Sequence, residues 1–90
     1  PPRVKDSIHV INNMGGVLKR QGHFDEAMKY YEKALKLRKQ HTPDDRLGEA
    51  ASLVNIGDVF DDQDRIDDAM KYYEKALAIQ REAYLSGHID

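Results

Sequence analysis

The nine residues Ala27-Met28-Lys29-Tyr30-Tyr31-Glu32-Lys33-Ala34-Leu35 occur a second time, unaltered, from Ala69 to Leu77. Self-similarity at a fixed offset is the signature of a repeat architecture. Here the offset is 42 residues. At that spacing Pro1 meets Pro43, Asn13 meets Asn55, Gly15 meets Gly57, Val17 meets Val59, Gln21 meets Gln63 and Asp25 meets Asp67, so 15 of 42 positions are identical. Met14/Ile56, Leu18/Phe60 and Phe24/Ile66 keep apolar character across the pairs. The chain therefore divides into two units in phase, residues 1–42 and 43–84, with a tail at 85–90.

Each unit reads as a pair of helices. Ile8, Ile11, Met14, Gly15 and Leu18 share one helical face. Gly22 then interrupts the pattern, where a glycine can adopt the left-handed conformation that closes a helix. Asp25 and Glu26 follow, and carboxylates are favourable in a first helical turn. Phe24, Ala27, Met28, Tyr31, Ala34, Leu35 and Arg38 form the stripe of a second helix. Thr42 is expected to cap the next helix and Pro43 to be its first residue. Leu53, Ile56, Gly57 and Phe60, then Ile66, Ala69, Met70, Tyr73, Ala76 and Leu77, repeat the scheme, with Gly87 closing the last helix. The expected helices span about 3–21, 24–40, 44–62 and 66–85, and one of 17 residues is roughly 25 Å long. Gly15 and Ala27, like Gly57 and Ala69, are small residues placed where two antiparallel helices cross. Tyr31 and Tyr73 are expected to fill the wedge beside them. Asn13 and Asn55, repeated at one phase, are expected to bond neighbouring backbone.

Ninety residues make at most one small domain. There is no cysteine, which excludes disulfides and thiolate metal sites. A third of the residues are charged, as in a soluble cytoplasmic chain, and the net charge of -2 gives no general pull toward nucleic acid or membrane. The opening Pro1-Pro2-Arg3 has neither an initiator methionine nor an apolar leader, so the chain is expected to be a segment of something longer. The near-neutral total conceals a split. Residues 1–42 hold nine Lys/Arg and four Asp/Glu, for +5, and residues 43–84 hold five and eleven, for -6.

The pattern resembles the tetratricopeptide repeat, in a 42-residue variant similar to the repeats of kinesin light chains. The residues that carry the likeness are Ile11, Met14, Gly15, Leu18, Ala27, Tyr31 and Ala34, then Leu53, Ile56, Gly57, Phe60, Ala69, Tyr73 and Ala76. Gln21–Ala27 looks like the family's turn. Asp64 departs from the pattern by standing where that turn has Gly22 in the first unit, and Lys39 and Arg81 stand where a proline is usual. The resemblance implies an all-α fold of two antiparallel hairpins, stacked as a short right-handed solenoid. It also implies a non-enzymatic scaffold that binds a protein or peptide on its concave side. By position, that side would carry His9, Asn12, Gly16, Lys19 and Arg20 from unit one. Unit two would supply Ala51, Val54, Asn55, Asp58, Asp61 and Asp62.

A solvated polar face is the plain alternative for this stripe, since every amphipathic helix has one. The acidic second half suits basic ligands rather than anionic peptide termini. Two uncapped repeats are fewer than such arrays normally need. Self-association, head to tail through apolar ends and opposite charges, is therefore a second expectation, with Met70, Tyr73, Ala76 and Leu77 assigned to the core within unit two and Ile66, Tyr84 and Leu85 left partly open. A regulatory segment of an enzyme is a distant third.

Other chemistry finds little support. The aspartates at 58, 61, 62, 64, 67 and 68 lack the glycine and final glutamate of a calcium loop. His9, His23, His41 and His88 show no i, i+4 pair suited to zinc. No nucleophile motif or phosphate loop occurs, so no catalytic residue, metal or cofactor is expected. Lys29, Lys33, Lys36 and Lys39 form a basic flank, but with Glu26 and Glu32 among them they read as a solvated face with ion pairs along the helix. No nucleic-acid partner is expected.

Overall fold

Two residues in left-handed conformation fold the units back on themselves. Gly22 has φ of 82°, and Asp64, one repeat later, has φ of 60°. Both turns close alike. His23 N–H donates to the Leu18 carbonyl at 2.9 Å and Arg65 N–H to the Phe60 carbonyl at 2.8 Å, the six-to-one bond that satisfies a helix C-terminus. Aspartate thus adopts the glycine geometry, at the steric cost a Cβ brings to that region.

The computed structural model describes residues 3–88; Pro1 and Asp90, counted in the repeat match and the charge tally, lie outside them. Four helices follow one another: α1 Val4–Arg20, α2 Phe24–His41, α3 Arg46–Asp62 and α4 Ile66–His88. No helix among the described residues is long and apolar enough to cross a membrane. The α1–α2 and α3–α4 hairpins stack through α2 against α3, making a small helical solenoid of 43 × 39 × 16 Å. In a slab that thin the outer helices, α1 and α4, each keep a side without a protein neighbour.

Three local expectations are corrected. Thr42 is not the cap of α3, nor Pro43 its first residue. Asp45 caps it, its Oδ1 accepting from Gly48 N–H at 3.0 Å, and the helix begins at Arg46. Thr42 instead closes α2, its hydroxyl donating to the Arg38 carbonyl at 3.1 Å. Gly87 does not end α4, which continues to His88 and takes up most of the expected tail. Asn13 is exposed and Asn55 half-buried, and among the described residues neither makes a side-chain hydrogen bond.

The core has two parts, one between the units and one inside the second. Ala27 and Tyr31 of α2 close on Ile56 and Val59 of α3, with Phe24, Met28 and Leu35 packed around them. A second cluster, Ala50, Leu53, Ala76 and Ile79, holds the α3–α4 hairpin. Each large side chain buried in this way contributes about 1.5–3 kcal/mol. Helix α3, covered on two sides, buries Ala50, Ser52, Leu53, Ile56, Gly57 and Val59. Helix α1, its counterpart, buries only Ile8 and Gly15. Met14, on the apolar face of α1, is accordingly 43% exposed, and Met70 and Leu77, assigned to the unit-two core, are 48% and 46% exposed. Their equivalents Ile56, Met28 and Leu35 pack across the α2–α3 contact, and the outer helices have no such contact to enter.

The small residues sit where the packing needs them. A Cβ on Gly15 would fall 2.7 Å from Tyr31 Cε1, and one on Gly57 equally close to Tyr73 Cε1. Ala27, Ala34, Ala69 and Ala76 are all sealed, while Leu18 and Phe60 are half-buried beside the first cluster.

Candidate functional site

Helices α1 and α3 end at equivalent points, and their last turns are the most charged part of the candidate stripe. Lys19 Nζ lies 3.6 Å from Asp62 Oδ2 and links unit one to unit two. Tyr73 donates its hydroxyl proton to Asp58 Oδ1 at 2.6 Å, tying α4 to the stripe side of α3. Burial, with help from this bond, pushes the Tyr73 phenol well above its ordinary range. Tyr31 is pushed the same way by burial and then by Asp58, with Asp62 adding and Arg20 opposing. Tyr31 of the first unit therefore feels the carboxylates of the second. Gly16 stands where the repeat has Asp58, and a Cβ there would lie 3.5 Å from the Tyr31 hydroxyl.

The remaining stripe residues are spread along the helices. Arg20, Ala51, Asp61 and Asp62 are exposed, and Asn12, Gly16, Lys19, Val54, Asn55 and Asp58 are half-buried. Val54 packs on the Ala50–Leu53 cluster, and so has a structural share. Asn12 Oδ1 is buried without a hydrogen-bond partner. Exposed His9 lies at the far end, by a cleft of about 180 Å³ that it lines with Lys5, Ile8, Arg38, Thr42 and Asp45. The stripe thus gathers Lys19, Arg20, Asp58, Asp61 and Asp62 at one end and leaves His9 at the other.

Three features escape a reading of the helical pattern. Arg38 is 8% exposed, and its guanidinium reaches Asp45 Oδ2 at 3.3 Å, joining α2 to the cap of α3. Its one sequence signal is its place on the α2 stripe among apolar residues. The Tyr73–Asp58 bond had no visible cue, because position 58 of the second unit is Gly16 in the first. The third is a groove of about 400 Å³ on the outer side of the first hairpin, lined by Val10, Asn13, Met14, Val17, Leu18, Glu26 and Tyr30.

Three of the six aspartates in the run are taken up by contacts. Asp58 accepts from Tyr73, Asp62 faces Lys19, and Asp68 faces Arg65 at 2.8 Å and Lys71 at 3.9 Å. Among the described residues no group of three or more His, Asp or Glu side chains is arranged to hold a metal ion.

A family model described as tetratricopeptide repeat matches residues 6–82. No curated protein and no solved structure matches the chain.

Proposed function

We propose that this chain, which belongs to the tetratricopeptide repeat family, binds a segment of another protein along α1 and α3. The family is in general a protein–protein interaction module, typically non-catalytic. The observation that carries the reading is the Lys19–Asp62 pair at 3.6 Å. It brings the ends of α1 and α3 into one surface, so that a bound segment would run from a basic to an acidic region. Asp61 is exposed and has no ion-pair partner among the described residues. A Lys or Arg of the bound segment is its natural complement.

Selection from a displayed random-peptide library against the chain tests this. Enriched peptides should carry Lys or Arg. Their binding should weaken several-fold with Asp61→Lys and stay unchanged with Lys29→Glu on α2. Peptides that bind Asp61→Lys as well as the parent would overturn the reading.

A second reading is favoured by the outer faces. Val10, Met14 and Val17 on α1, and Ile66, Met70 and Leu77 on α4, are each 43% exposed or more. Apolar surface in such rows favours association, and the chain's own copies present both rows. Charge reversal at Lys19 and Arg20 separates the readings. Weaker peptide binding without change of mass supports recognition, and weaker assembly supports self-pairing.

A further inference from the structure

We propose that the outer groove of the first hairpin is a seat for α4 of a second copy, which docks head to tail in the register α2 already uses on α3. This rests on the self-association reading above and gives it polarity and named contacts.

The molecule contains its own template. One repeat step carries groove residues Val10, Met14, Val17 and Tyr30 onto Ser52, Ile56, Val59 and Tyr72. In the second unit Ser52, Ile56 and Val59 are 0–2% exposed, because Phe24, Met28 and Leu35 of α2 pack there. In the first unit no described residue fills the same place, and it remains an open groove. The side chains that would fill it are present on α4. The same step carries Phe24, Met28 and Leu35 onto Ile66, Met70 and Leu77, and these are the exposed row of α4. One end of the chain thus has the groove and the other end has the ridge.

The charges agree with this register. Inside the chain Lys19 of one unit faces Asp62 of the next. Across a junction between copies, the position of Lys19 is taken by Asp61, and that of Asp62 by Arg20. The pair is kept with its sign reversed. Arg20 and Asp61 are both exposed and have no ion-pair partner among the described residues. Tyr73 would gain the cover that makes Tyr31 4% exposed.

Sedimentation velocity of the chain across a range of concentrations tests the proposal, with Met70→Asp and Val17→Asp as probes. Both side chains are about half exposed, so both variants should keep the parent's helical circular dichroism. The parent mass should rise with concentration while each variant stays monomeric. An equimolar mixture of the two variants should run at twice the monomer mass and stop there, since it holds one intact groove and one intact ridge. Arg20→Asp and Asp61→Arg should each weaken association roughly twofold to fivefold, and their combination should restore it. A parent that stays monomeric overturns self-association itself. A parent that associates while the mixed variants do not pair overturns the head-to-tail register alone.

Discussion

The ring of Tyr73 occupies the space a side chain on Gly57 would need: a Cβ there would fall 2.7 Å from Cε1 and 2.9 Å from Cδ1. The same holds for Tyr31 and Gly15. Glycine in a helix ordinarily costs about 1 kcal/mol relative to alanine, so its presence twice at one phase has to be offset by packing. Overpacking a filled site costs about 1–3 kcal/mol. Gly15→Ala and Gly57→Ala should therefore each destabilise the chain, by up to about 2 kcal/mol net. Gly16→Ala, whose new methyl would meet only the Tyr31 hydroxyl at 3.5 Å, should stabilise it by about 0.5 kcal/mol. Urea titration followed by circular dichroism measures all three.

The two hairpin turns should respond oppositely to substitution. Gly22 and Asp64 both have positive φ, and only glycine adopts that region without penalty. Gly22→Ala should cost about 1 kcal/mol, and Asp64→Gly should gain about 0.5–1 kcal/mol. Thermal melts of the two variants beside the parent check the signs.

Asp45 carries two duties, capping α3 through Gly48 and facing the buried Arg38. Loss of an N-cap costs about 1 kcal/mol, and a buried guanidinium losing its partner adds about 1 kcal/mol more. Asp45→Ala should therefore destabilise by about 2 kcal/mol. Asp45→Asn, which keeps the capping oxygen, should lose about half as much. Chemical denaturation distinguishes them.

Alkaline pH should loosen the stack. Burial raises the phenol pKa of both Tyr31 and Tyr73 above the ordinary value of 10.0 in the folded chain. A raised group binds its proton more tightly when folded, so its contribution is complete below about pH 10 and is lost as pH climbs past that value. Stability should be level from neutral pH to about 9 and then decline. Tyr73→Phe should be less stable at neutral pH by about 1 kcal/mol, having lost the bond to Asp58, and should decline less steeply above pH 10. Denaturant midpoints measured from pH 7 to 11 provide the test.

Much of the fold was legible because the sequence repeats itself. The verbatim nonapeptide fixed the period, and the glycine–tyrosine pairs fixed how each hairpin closes. What the pattern concealed was direction. Helical spacing places Met14, Met70 and Leu77 on apolar stripes, but a stripe does not say whether it faces its own hairpin or the next one. Only the α2–α3 contact, where Ile56, Met28 and Leu35 occupy the same phases, tells these apart. At the Thr42–Asp45 boundary two capping residues stand three apart, and hydrogen bonding rather than residue type decides between them. Within the candidate stripe, the charges at Lys19, Arg20, Asp58, Asp61 and Asp62 were readable from position. The Tyr73–Asp58 bond was not, since nothing in a single unit announces a contact made by only one of two copies.

Binding of a protein segment by α1 and α3 together is measured most directly by a heteronuclear NMR titration of the chain with a library-enriched basic peptide, under dilute conditions. Backbone amide shifts should move in the last turns of α1 and α3, at Lys19, Arg20, Asp58, Asp61 and Asp62, and hardly at Lys29, Lys36 or Lys39 on α2. Shifts confined to α2 and α4, with α1 and α3 unmoved, would contradict the account.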